Sequence, residues 1–191
     1  MNVMDAIHGR RSVRSYAPQR LDQATIRVLL DAAVWAPTAV HEEPWVFVIV
    51  QDTALLKSLS DRAKKIFAAQ AEDTHPGQAR RLREMISDPN FNIFYDASTL
   101  IIICAKPEGI FVAADCWLAA ENLLLAAYGM GLGSCVIGFA VPALNTAEIK
   151  AELGIPPECS AIVPIIVGVP TGDTPRSTRK EPEILTWKLA D

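Results

Sequence analysis

From Leu123 to Asn145 the chain carries no charged side chain. A stretch of that length crosses a bilayer if it forms one helix; otherwise it must be folded away inside protein. Gly129, Gly131, Gly133 and Gly138, with Pro142, break it into pieces. The nearest cationic side chains, Lys106 and Lys150, lie too far from its ends to orient an insertion. The run therefore reads as the end of a helix, a glycine turn and a buried strand, and no membrane span is expected. The apolar surplus still needs a place: half of the 191 residues are hydrophobic, and the mean hydropathy is +0.20. A helix from about Val112 to Tyr128 is apolar nearly all round, so most of its surface should lie against a partner. This predicts a self-associating chain.

The length fits a single domain over residues 1–191, large enough to bury a full core without disulfides or metals. Cys104, Cys116, Cys135 and Cys159 are widely spaced in apolar stretches and form no CxxC pair, which predicts buried, reduced thiols and no metal site. At the N-terminus the charges follow a short apolar stretch, the reverse of a secretory signal, so a cytoplasmic location is expected. A net charge of −4, with no continuous stripe of Lys and Arg, argues against a nucleic-acid partner.

Helices and strands interleave along the chain. Asn2 is placed to cap a short helix ending near Gly9. Asp22 caps one carrying Ile26, Leu29, Leu30 and Ala33, which must stop before Pro37. Residues 45–50 read as a strand buried on both faces, and Asp52 caps the helix that follows. The polar segment 72–92 reads as a variable lid with a helical turn at Leu82, Met85 and Ile86. A second buried strand, Ser98 to Cys104, precedes a Pro107–Gly109 turn and the long apolar helix. A third strand is expected from Ser134 to Phe139. Asn145 with Glu148 suggests a capped helix closed at Gly154. A fourth strand, Ala161 to Gly168, contains Pro164, which implies a sheet edge or a bulge. The polar arm 171–191, basic at Arg176, Arg179 and Lys180, ends in apolar residues and suggests a segment that wraps another surface. The expected class is α+β, with helices around one sheet.

Arg10, Arg11 and Arg14 supply three permanent cations within five residues, and Ser12 adds a hydroxyl where a helix ends. Such a group suits a phosphate; a solvated basic face is the other reading, and these residues alone do not separate the two. The loop 36–45, with Pro37 and Pro44, is stiff and small enough for a flat ligand to reach its backbone, or simply turns the chain. His41 alone reads as a surface residue. The glycines at 129–138 follow a helix and open a strand, the reverse of a dinucleotide fingerprint; Gly133 and Gly138 instead allow close approach of a ligand. No hydrolase, P-loop or zinc-protease motif is present, and Asp96, Asp115 and Glu121 show no paired-carboxylate spacing.

RRSVRSY at 10–16, WAPTA at 35–39 with PW at 44–45, GLGSCVIG at 131–138 and IVGVP at 166–170 occur here in the order of the FMN-dependent nitroreductase family, which the sequence resembles over nearly its whole length. The resemblance implies an α/β sandwich with a mostly antiparallel central sheet flanked by helices, in an intertwined homodimer with two FMN sites at the interface. It implies that Arg10, Ser12 and Arg14, with Arg11 close by and Arg179 from the arm, hold the FMN phosphate. Pro37, Thr38 and Ala39 of the other subunit would lie against the isoalloxazine, with Ile137 and Gly138 on its opposite side. His41 stands near the ring edge where many members carry Asn, and Glu43 also departs from the pattern. The chemistry would be carried by FMN, with no catalytic side chain. NAD(P)H would be the donor and nitroaromatics, quinones or similar small molecules the acceptors, in a ping-pong cycle. Other family members dehydrogenate, dehalogenate or fragment a dedicated substrate, and a flavin carrier or sensor without turnover is a further reading.

Overall fold

The computed structural model describes residues 2–70, 84–106, 109–175 and 178–189. Helices begin where short polar side chains satisfy their free amides. In α1 (Val3–Gly9), Asn2 and Asp5 cap each other reciprocally, at 3.0 and 2.9 Å. Asp22 accepts from Thr25 N at 2.7 Å to start α2 (Gln23–Val34), and Asp52 accepts from Ala54 and Leu55 to start α3 (Thr53–Gln70).

Among the described residues, four strands form one antiparallel sheet: β1 (Trp45–Val50), β2 (Thr99–Ala105), β3 (Gly133–Val136) and β4 (Ser160–Gly168), in the order β1-β2-β4-β3. Alternate residues of β2 divide the core. Leu100, Ile102 and Cys104 join Leu56, Leu59 and Ala63 of α3 on one face. Ile101, Ile103 and Ala105 join α2 and the long helix α4 (Val112–Gly129) on the other. Helices thus cover both faces, which is the expected α+β sandwich. The expectation for β1 is corrected: it is an edge strand, and Ile49 is exposed. All four cysteines are buried and unpaired.

Pro164 lies in a central strand, not at an edge, but a bulge accompanies it. The β2–β4 register shifts between Ile103 and Cys104, leaving Ile162 as the extra residue. The slip moves Ala161 to the face opposite Val163, as a one-residue insertion must. Pro164 also shortens β3, which ends at Val136 rather than Phe139. Its carbonyl accepts from Ile137 N at 2.9 Å, but it has no N–H to return. The Ile137 carbonyl instead takes Ala140 N at 3.0 Å, and the chain turns into a single 3₁₀ turn at Gly138–Ala140.

After α5 (Val141–Leu144), the cap of α6 (Ala147–Leu153) is Thr146, not Asn145. Asn145 is used across the fold: its amide exchanges hydrogen bonds with the Ala161 backbone at 2.9 Å each way. Gly154 closes α6 at φ 68°. Of the segment 72–92, only 84–92 falls among the described residues: 84–87 are helical with Ile86 buried, and Leu82 lies outside them. Pro107 and Arg176 also lie outside the described residues. Among those described, no helix is long and apolar enough to cross a membrane.

Candidate functional site

The segment after α1 runs along the free edge of β3. Val13 N donates to Ser134 O at 3.0 Å, Ala17 N to Val169 O at 2.9 Å, and Thr171 N to Ser15 O at 2.9 Å. Gly133 permits this approach, since a Cβ there would lie 2.8 Å from the Val13 side chain. The basic motif is thereby laid beside the end of β3, so Arg10, Arg11, Ser12, Arg14, Ile137 and Gly138 share one edge of the sheet.

The guanidinium Nε atoms of Arg10 and Arg11 are buried without a hydrogen-bond partner. Arg11 spends Nη1 on the carbonyls of His8 and Arg10, at 2.6 and 2.7 Å, and Arg10 Nε lies 3.7 Å from Glu121 Oε1. A cavity of about 570 Å³ opens beside them, walled in part by His8, Arg10, Arg11, Ser134 and Gly172, within the size range of small-molecule sites. Two arginines lining such a space suit an anion, although Asp5 also lines it. Arg14 is exposed and lies over the Tyr95 ring, 5.8 Å from its centroid. Burial raises the Cys135 thiol above its usual range, against the opposing effects of Arg14, the Ser12 hydroxyl and Arg10.

Gly138 differs from Gly9, Gly133 and Gly168 in the space beside it and from Gly131 and Gly172 in lacking a positive φ. A Cβ at Gly9 or Gly168 would press on Tyr128 or Tyr16, whereas one at Gly138 would meet nothing within 4 Å. Neither packing within the chain nor a left-handed backbone calls for glycine there. Gly138 is exposed, and the space beside it is open.

The loop carrying Pro37, Thr38, Ala39 and His41 leads into β1, on the opposite edge. Three strand spacings, about 14 Å, separate the two edges, so one chain does not bring this loop to Ile137 and Gly138. Val40, His41 and Glu43 all have positive φ, at 47°, 57° and 45°. Such backbone is costly, most of all for β-branched Val40, and is concentrated at functional sites. Asp115, buried in the first turn of α4, accepts from Ala39 N at 3.3 Å and fixes the loop. Arg179 stands on the exposed arm, where it donates to the Thr178 carbonyl.

Spacing set Asp115 and Glu121 aside, and gave no role to Tyr95. Asp115 and Glu121 carried a signal, as acidic residues on an otherwise apolar helix; Tyr95 carried none.

The model of the nitroreductase family matches residues 7–169. A relative from Archaeoglobus fulgidus, named provisionally as an NADH dehydrogenase/NAD(P)H nitroreductase, is 30% identical over 86% of this chain and 83% of its own. The iodotyrosine deiodinase of Thermotoga neapolitana is 25% identical over 94% of each. The crystal structure of a nitroreductase with bound FMN from Bacteroides fragilis superposes with a TM-score of 0.80 at 27% identity, covering 100% of both chains. A matched core from α1 to the end of β4, with the basic motif and Gly138 on one edge and the Pro37 loop on the other, leads to one conclusion: the chain belongs to the nitroreductase family.

Proposed function

We propose that the protein is an FMN-dependent oxidoreductase that takes electrons from NAD(P)H and reduces nitroaromatics, quinones or similar electron-poor acceptors, both substrates using one site in turn. The observation that carries this reading is the cavity lined by Arg10 and Arg11, whose buried guanidinium Nε atoms make no hydrogen bond. They fit the phosphate of FMN, and the open face at Gly138 fits a flat ring. FMN, when bound, supplies the hydride chemistry.

The chain's own part is to bind, orient and exclude water. Arg10, Arg11, Ser12 and Arg14, with Arg179 from the arm, neutralise and anchor the phosphate. Ile137 and Gly138 let the ring lie close to backbone. The loop Pro37–Ala39 of a second protomer covers the other side, because a chain's own loop stands on the wrong edge. His41 and segment 72–92 then act on acceptor choice. The homodimer also accounts for the exposed apolar side chains, among them Trp35, Trp117 and Trp187. A cytoplasmic location accompanies this reading.

Anaerobic stopped-flow mixing of the flavin-loaded protein with NADPH and NADH tests it. Rapid bleaching by either is expected; indifference to both overturns the reductase and leaves a dedicated flavin reaction or a carrier or sensor. A dedicated dehydrogenation, dehalogenation or flavin-fragmenting reaction is the second reading, favoured by the likeness to the Thermotoga deiodinase along 94% of both chains. Turnover of halogenated phenols with chemically reduced protein, without nitroaromatic reduction, would select it.

A further inference from the structure

We propose that Tyr95 is a positioning residue for Arg14, and that α3 clamps the segment 88–97 so as to hold the Tyr95 ring beneath the guanidinium. The proposal rests on the reading of Arg14 as part of the flavin phosphate cradle.

The backbone is the first ground for it. Tyr95 and Asp96 have φ of 52° and 55°, two consecutive left-handed residues, neither of them glycine. An aromatic residue stays there only if its surroundings over-determine it. Two side chains one turn apart on α3 do so. Lys64, almost wholly buried, donates from Nζ to Phe91 O at 2.8 Å and Asp88 O at 3.3 Å, with Asp61 Oδ1 at 3.3 Å. Ser60, also buried, accepts from Ile93 N at 3.0 Å. The segment braces itself further: Tyr95 N donates to Asn92 O at 2.9 Å, and Asn92 Nδ2 to Asp96 Oδ1 at 2.8 Å. Phe91 packs edge-on against Tyr95, with centroids 5.5 Å apart and planes at 80°.

The second ground is what all this presents. The strained turn delivers one aromatic face to Arg14, at 5.8 Å, within cation–π range. Arg14 is otherwise a long exposed side chain, whose Nη1 makes only a marginal contact with Ser12 O at 3.5 Å. The ring restricts the rotamers of the guanidinium and leaves its edge donors for an anion. That lowers the ordering cost of binding without the ring itself touching the phosphate.

A double-mutant cycle on FMN affinity of the apoprotein tests this, with Tyr95→Leu, Arg14→Gln and the double variant, each checked for fold by circular dichroism. Tyr95→Leu should weaken FMN about three- to thirtyfold, the range of a cation–π pair from exposed to desolvated. Tyr95→Phe should restore parental affinity. In the Arg14→Gln background, Tyr95→Leu should change nothing further. An equal loss in both backgrounds makes Tyr95 merely structural and overturns the proposal, as does parental affinity in Tyr95→Leu. A parent that takes up no FMN at all instead overturns the functional reading, and the proposal with it.

Discussion

Gly133 and Gly138 stand five residues apart at one sheet edge and are glycine for opposite reasons. At Gly133 a side chain would strike Val13, whereas at Gly138 it would enter open space. Gly133→Ala should therefore lower the melting temperature, at a cost of roughly 1–3 kcal/mol for overpacking. Gly138→Ala should leave the apoprotein's melting temperature unchanged or slightly raised. Its effect should appear in FMN affinity, weaker by about tenfold or more if the added methyl costs roughly 1.4 kcal/mol against the ring. Calorimetry and FMN titration of both variants check the pair; a destabilised Gly138→Ala that binds FMN normally would contradict it. Sequence reading gave both glycines to the close approach of a ligand, whereas Gly133 meets the Val13 side chain. That distinction depends on Val13, more than a hundred residues away.

Elements divide by how local their causes are. The caps at Asn2, Asp22 and Asp52 were legible because each acts within three residues, and the turn at Gly154 because αL backbone favours glycine. Strand order was not legible. Pro164 read as a sheet edge or a bulge; a bulge lies beside it, and its missing donor faces the short partner β3. Asn145 looked like a cap, but it braces Ala161 of β4. The turn at Tyr95 could not be read at all, since Lys64 and Ser60 impose it from α3. The cysteines are buried and unpaired, as the sequence suggested, and their setting has a consequence for pH. Burial, with lesser effects from neighbouring thiols, pushes Cys104 up to about 12, and burial with Asp115 pushes Cys116 up to about 11. Both are neutral when folded but ionise near pH 8.5 when unfolded. The folded state binds more protons above pH 8.5, so stability falls from there towards pH 11–12, by up to about 1.4 kcal/mol per pH unit per thiol. Urea unfolding at pH 8 and pH 10 should show this loss, and it should shrink in Cys104→Ala compared at the same two pH values. A flat profile would contradict the buried, neutral state.

At the scale of the whole molecule, the apolar surplus legible in the sequence is still exposed in a single chain. Trp117 and Leu118 of α4 are half exposed, and Trp35, Leu185 and Trp187 more so. An obligate dimer interface, typically above about 2,000 Å², would cover such a surface and would bring each Pro37 loop to the other chain's Gly138 edge. Light scattering of the apoprotein at submicromolar concentration should give the dimer mass; a folded monomer there would contradict the shared site.

The most direct test is equilibrium titration of apoprotein, parent and Arg14→Glu, with FMN and with riboflavin. At about 4 Å and an effective dielectric near 20, one charge pair is worth about 4 kcal/mol, partly offset by desolvation. A net loss of roughly 3 kcal/mol weakens FMN about a hundredfold. The expected result is one FMN per chain in the parent, a loss of that order in Arg14→Glu, and riboflavin binding both proteins nearly alike. Equal FMN affinity in the two proteins would remove the phosphate role of the basic motif, and a parent that binds neither flavin would refute the FMN-dependent oxidoreductase outright.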